Sequence, residues 1–408
     1  MGGVVSRNIR GTLEKTPEQL FDCLSEEESR MLQDSLQNLN LNRVLDAHGH
    51  VCGLGSENSG CYVNKSVWKN PVLHYYSVTK FKSFLRAGRI SDVDPHADWH
   101  YVKQLVRLIR SCSTSSQGSH PKMLVFALDS VHSNEGLEDL SLTSLKIPNE
   151  HVFAVVQAYP DVFEMGMSIH PYRKDVLEEI ETWHAKGIRV MKWIPQTMRI
   201  DLQHIHCSRV YAKLRELDIT LVIHSGNENS FDFVRPIQEF GNPLKLIYPL
   251  KGGVKVIAAH CASEGSIALK LCGLTFPCFR KPNYDFLIEL MEMNEFKDLL
   301  FADVSSMISR TRSKYLVSIL KKEHLHSRLI YGSDYPLVAV KHMVSTFKLC
   351  YWQKLINQQQ KQLLDKIREY NPVLFSLVAC RMIGTPLRLH PLPDSVFYGD
   401  VLEKKQQG

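Results

Sequence analysis

Val44-Leu45-Asp46-Ala47-His48-Gly49-His50 is a short apolar run that ends in two histidines one residue apart. Side chains alternate across a strand, so Asp46, His48 and His50 are expected on one face. Two imidazoles carried together at a strand end supply half of a metal site, or they are unrelated polar residues where a strand meets a loop. The rest of the chain decides between these readings.

Seven further β-rich runs follow, at 123–129, 163–169, 189–194, 220–224, 254–260, 299–303 and 328–334. Helical periodicity separates them, over about 98–112, 149–159, 175–185, 209–217, 284–293 and 315–322, and continues over about 340–355, 358–369 and 371–382. Eight such runs without a break in composition predict an α/β fold, a (β/α)8 TIM-type barrel. The barrel is expected over 41–383, with a long insertion at 51–121 after the first strand and a helical C-terminal addition. Residues 1–40 read as an N-terminal helical extension, because Thr16-Pro17-Glu18-Gln19 and Ser25-Glu26-Glu27-Glu28 both look like helix starts. Residues 384–408 read as a polar tail.

The 408 residues are 44% hydrophobic and 23% charged, with a formal net charge of +6, as in an ordinary globular protein. No dense Lys/Arg block is interleaved with aromatics, so nucleic acid is not an expected partner. Ten cysteines without a CxxC pair, and an opening without a secretory signal, point to the cytoplasm. No apolar run is long enough to span a bilayer. Met1-Gly2-Gly3-Val4-Val5-Ser6 fits the pattern for myristoylation of Gly2, which would give weak membrane association aided by Arg7, Arg10 and Lys15. The plainer reading is a common Gly/Ser-rich start.

In a β/α barrel the chemistry sits at the C-terminal strand ends. Here the runs end in His48 and His50, Lys192, His224, His260 and Asp334, and the remaining three in Asp129, His170 and Asp303. Imidazole and carboxylate suit zinc or a similar divalent ion with a position left for water. Lys192, buried and neutral, is able to form a carbamate with CO₂ and so become an anionic bridging ligand; alternatively it binds a substrate carboxylate or loop backbone. Asp334 is suited to ligate an ion and to act as general base.

These pieces together resemble the amidohydrolase superfamily of metal-dependent hydrolases, in its amidohydrolase-2-like branch. The resemblance rests on Asp46-Ala47-His48-Gly49-His50, Val190-Met191-Lys192-Trp193, Val222-Ile223-His224-Ser225-Gly226, Ala259-His260-Cys261-Ala262-Ser263 and Tyr331-Gly332-Ser333-Asp334-Tyr335-Pro336. Asn371-Pro372-Val373-Leu374-Phe375 is similar to the Asn-containing helix that closes many members of that branch. The resemblance implies that His48, His50 and Asp334 ligate one ion, and that carboxylated Lys192 bridges to a second held by His224 and His260. The implied activity is cleavage of an amide, ester or lactone-type bond in a small-molecule substrate by a metal-activated water, with Asp334 and His260 catalytic.

The alternative it leaves open is a single-zinc nonoxidative decarboxylase or hydratase of a carboxylated small molecule, with His260 as general acid/base. A third reading is a non-catalytic, membrane-tethered barrel adaptor. His170, Arg173 and Glu228 are expected near the substrate, against duller roles in a loop contact, a helix start and the support of a ligand histidine. Asp46 is expected to support the site. His204 and His206 share the His-x-His spacing in a loop and read as surface residues. Trp68, Tyr75, Tyr76 and Phe81 either line the mouth of the barrel or fill a core of the insertion.

Overall fold

A computed structural model of the chain describes residues 15–65, 75–91, 93–112, 119–230, 233–271 and 274–402. The β-rich runs form β1 (Leu45–His50), β2 (Lys122–Phe126), β3 (Phe163–Gly166), β4 (Val190–Trp193), β5 (Thr220–His224), β6 (Val256–Ala259), β7 (Leu300–Asp303) and β8 (Leu329–Ile330). Parallel ladders order them as β1-β2-β3 in one sheet and β4 through β8 in a second. At the two seams the sheets meet through single parallel bridges, Met167 with Met191 and Gly49 with Tyr335. Lys192 N donates to Met167 O and Asp334 N to His48 O, both at 2.8 Å. The strand order is that of a (β/α)8 barrel, with bridges rather than ladders at its seams.

Period-two alternation sorts the strand residues. Leu45, Ala47, Leu124, Phe126, Val190, Val222, Ile257, Ala259 and Ile330 pack together in a small inner cluster. Met123, Val125, Met191, Leu221, Ile223, Val256 and Ala258 join the larger core under the helices. Parallel neighbours need crossover segments. Asn149–Ala158, Val176–Ala185, Ile205–Glu216 and Asn283–Glu292 are the longest helices between consecutive strands from β2 onward.

Several expectations need correcting. The β1 register shifts between Asp46 and Gly49, so Asp46 does not share the cavity face of His48 and His50. Its Oδ1 instead accepts from Ser333 N at 2.8 Å and His48 N at 3.3 Å. Thr16 caps nothing, and only short 3₁₀ turns follow it at Pro17–Gln19 and Phe21–Cys23. Ser25 does start a helix, Glu26–Leu36, through a complete capping box with Glu28.

The continuous helix expected over 340–355 is absent. The buried Arg368 guanidinium binds the carbonyls of Val340, Lys341 and Val344 at 2.8 to 3.1 Å, taking acceptors a helix would use. A single five-residue turn, Lys348–Trp352, stands there. The insertion holds the helices Tyr75–Ala87 and Ala97–Arg110, and an antiparallel hairpin, Ser266–Leu271 with Leu274–Pro282, follows β6.

The segment read as a polar tail buries Leu392, Val396 and Phe397. Val396 O accepts from Tyr331 N at 2.8 Å, which ties it to the end of β8. Phe81 is buried in the core with its ring 5.3 Å from Phe233, while Trp68 and the side chains of Tyr75 and Tyr76 lie outside the described residues, as does Gly2. Among the described residues no helix is long and apolar enough to cross a membrane.

Candidate metal centre

The C-terminal strand ends bring His48, His50, Lys192, His224, His260 and Asp334 to one small cavity. All are buried except His50, whose side chain is 18% exposed. Among the described residues one group of potential metal ligands stands out: His48, His260 and Asp334 offer atoms within 4.8 Å of one another. His50 adjoins it, with Nε2 3.4 Å from Asp334 Oδ1.

Asp303, at the end of β7, organises this group. Its Oδ2 is 2.8 Å from His48 Nδ1, and its Oδ1 accepts from His260 N at 2.8 Å. A His48 Nδ1–H donated to the carboxylate leaves the Nε2 lone pair for other use. Ser305 Oγ donates to Asp303 Oδ1 and lies 2.7 Å from His260 Nδ1, so His260 also has its Nδ1–H engaged and Nε2 left over. Burial, despite the nearby Asp303, lowers the His48 pKa to about 4, and burial holds His260 well below its ordinary value. Both imidazoles are therefore neutral, the form that binds metal. Burial alone would raise Asp334, but the surrounding His260, His50 and His48 outweigh it and hold the carboxylate well below its usual range.

The backbone is forced where these groups converge. His260, Cys261, Ala262, Ser306 and Asp334 all adopt positive φ, between 48° and 58°. Each such non-glycine residue costs on the order of 1–2 kcal/mol, and clusters of them mark functional sites. Gly332 permits the close approach of β8 to β1: a Cβ there would sit 2.7 Å from His48 Cβ and 3.0 Å from Ser305 Cβ.

Lys192 Nζ lies 3.1 Å from His48 Nε2 and is fully buried, which lowers its pKa to about 8. His224 is set differently from the other two histidines. Its Nε2 faces Glu228 Oε2 at 3.2 Å, and its ring centroid is 4.9 Å from that of His260. Glu228 lines the same cavity.

His170 and Arg173 are not brought there. His170 Nε2 donates to Met198 O, after β4, at 2.8 Å, and Nδ1 accepts from Tyr172 N of its own loop at 3.2 Å, so both ring nitrogens are taken. Arg173 pairs with Asp175 at 2.7 Å and, at 3.4 Å, with Asp129. Sequence reasoning left Asp303 and Arg312 out of the site. Asp303 carried the signal of a strand end; Arg312, in the loop after β7, carried none.

A buried histidine and carboxylate cluster at the C-terminal ends of parallel strands defines a β/α protein with a candidate metal centre. The family comparison places it more narrowly. Residues 143–373, more than half of the chain, match the amidohydrolase family model of the amidohydrolase-2 branch, and the chain belongs to that family. The matched stretch begins after β2, so it leaves out His48 and His50.

No curated protein sequence matches the chain. Solved structures do. An uncharacterised TIM-barrel protein from Bordetella bronchiseptica is 15% identical, covering 79% of this chain and 99% of its own, at a TM-score of 0.47. A 5-carboxyvanillate decarboxylase from Novosphingobium aromaticivorans, complexed with manganese, is 11% identical over 80% of this chain and 92% of its own, at a TM-score of 0.41. A 2,6-dihydroxybenzoate decarboxylase from Rhizobium is 11% identical over 72% and 87%, at a TM-score of 0.39.

Proposed function

We propose that this chain is a metal-dependent hydrolase of a small-molecule substrate, with His48, His50, His260 and Asp334 holding a divalent ion such as zinc. The observation that carries the reading is Asp303, which binds His48 Nδ1 and His260 N together beside an ionised Asp334. That donor set, three imidazoles and a carboxylate, suits a first-row divalent ion. When bound, the ion supplies Lewis acidity toward a carbonyl and lowers the pKa of water toward ~7.

The chain's own residues handle the protons. Asp334 Oδ2, held by Ser306 Oγ at 2.5 Å, accepts the proton of the attacking water and returns it to the leaving heteroatom. His260, whose Nδ1 is engaged by Ser305 Oγ at 2.7 Å, acts through Nε2. Glu228 fixes the His224 ring. The lowered pKa of Lys192 makes a neutral amine accessible near pH 7, and that amine would take up CO₂ to become an anionic ligand for a second ion beside His224.

Metal analysis and turnover on a panel of amides, esters, lactones and carboxylates test the reading together. The expected result is a stoichiometric divalent ion, one per chain or two with Lys192 carboxylated, and water-dependent cleavage that Asp334→Asn removes. CO₂ release without hydrolysis would replace hydrolase by decarboxylase. A protein that binds no ion would end both readings.

A further inference from the structure

The hairpin of Ser266–Leu271 and Leu274–Pro282 follows β6, and its sequence is mostly apolar, with no acidic residue. Its two strands pair with each other and, among the described residues, with no other strand. A two-stranded hairpin is marginal alone in water and gains stability when an apolar face is covered. The register breaks between Phe276 and Arg280, and Phe279, inside that break, is 65% exposed.

A second element, the turn Lys348–Trp352, lies in the chain beyond β8. Leu349 and Cys350 anchor it in the core, while Phe347, Tyr351 and Trp352 are 52%, 48% and 73% exposed. Their rings keep together, that of Phe347 standing 4.7 Å from Tyr351 and 6.2 Å from Trp352. Trp and Tyr concentrate where protein meets the lipid–water boundary, because their rings are apolar with a polar tip. The loop after β7 joins the two elements. Lys348 Nζ donates to Arg310 O at 2.5 Å, the Thr311 hydroxyl donates to Glu264, and Asn283 Nδ2 donates to Glu264 O at 2.7 Å at the base of the hairpin.

Charge selects the occupant of this rim. Arg280 donates to Ser266 Oγ at 2.8 Å and Lys348 to a backbone carbonyl, so neutral oxygens hold both cations and leave their charge uncancelled. Arg310 and Lys354 are exposed beside them. The flanking acids already have cations: Glu289 pairs with Lys281, Asp365 with Lys361 at 2.7 Å, and Glu264 lies 3.6 Å from Arg312. A second copy of the chain would bring like charge against like. An anionic lipid surface offers the opposite charge and, beneath it, an apolar layer for the rings.

We infer that this rim docks on a bilayer rich in anionic phospholipid. Phe347, Trp352 and the hairpin enter the interface, and Arg280 and Lys348 meet the headgroups. Met1-Gly2-Gly3-Val4-Val5-Ser6 fits the same picture, since one acyl chain holds a bilayer only marginally and needs a second contact.

The test uses the full chain with Gly2→Ala, so that no acyl group contributes, sedimented with vesicles of phosphatidylcholine alone or with phosphatidylserine added. Phosphatidylserine is expected to strengthen binding at least about tenfold, and high salt to reverse the gain. Phe347→Ser/Trp352→Ser weakens binding about tenfold or more at an unchanged melting temperature. Arg280→Gln/Lys348→Gln removes most of the preference for phosphatidylserine. Quenching of tryptophan fluorescence by brominated lipid falls in Trp352→Phe. Failure to bind either vesicle, or binding that both double variants leave unchanged, overturns the inference. A dimer in sedimentation equilibrium that Phe347→Ser/Trp352→Ser dissociates also overturns it, by making the rim a contact between copies.

Discussion

In His48-Gly49-His50 the imidazoles project from the end of β1, whereas in His204-Ile205-His206 they sit at the first turn of the helix Ile205–Glu216. The first pair meets a carboxylate from β7, Asp303, and a second from beyond β8, Asp334. The second pair serves its own helix: His204 Nδ1 accepts from His206 N at 3.3 Å as an N-cap. His206 Nε2 donates to Asn134 O at 3.1 Å, and the Tyr172 ring lies 4.5 Å from that of His204. Among the described residues His204 and His206 belong to no group of three close ligand atoms. The lesson is that His-x-His spacing supplies a pair. A site needs carboxylates delivered by other strands and burial that keeps the imidazoles neutral.

Substitutions should widen this contrast in order of effect. Asp334→Asn removes both an ion ligand and the proton acceptor, and kcat/KM for hydrolysis is expected to fall by about 10²–10⁴. Asp303→Asn keeps the ligands but loosens the His48 tautomer and orientation, so titration calorimetry should register ion affinity weaker by about 10–100-fold. Gly332→Ala places a methyl against His48 Cβ, and denaturant unfolding should show a loss of about 1–3 kcal/mol together with weaker ion uptake. The double variant His204→Ala/His206→Ala should cost about 1 kcal/mol or less, from the lost cap, with ion affinity as in the wild type.

The strand-end residues were legible in sequence because strand periodicity is local, and a parallel barrel puts strand ends on one face. Asp303 was visible as a strand end, yet its role lies in His48, 255 residues away in sequence, and no local pattern encodes such a partner. His170 had the same strand-end placement and a different outcome, because the Met198 carbonyl from the next loop reaches its Nε2 first. Asp46 was assigned to the wrong face because strict alternation takes no account of a register shift. The helix expected over 340–355 failed for a related reason. Its periodicity is present, but Arg368 competes for its carbonyls from another element. Arg312 lies in a loop where nothing in the neighbouring residues marks it, and only the folded chain brings it to the cavity of the histidine cluster.

The central claim is that His48-Gly49-His50, with Asp303 and Asp334 around it, holds a divalent ion. Equilibrium dialysis of chelator-stripped protein against zinc and manganese tests it most directly, using the wild type, His48→Ala and the His204→Ala/His206→Ala double variant. The account expects stoichiometric uptake by the wild type and the double variant, and its loss in His48→Ala. Uptake that survives His48→Ala, or that disappears with His204 and His206, would contradict it.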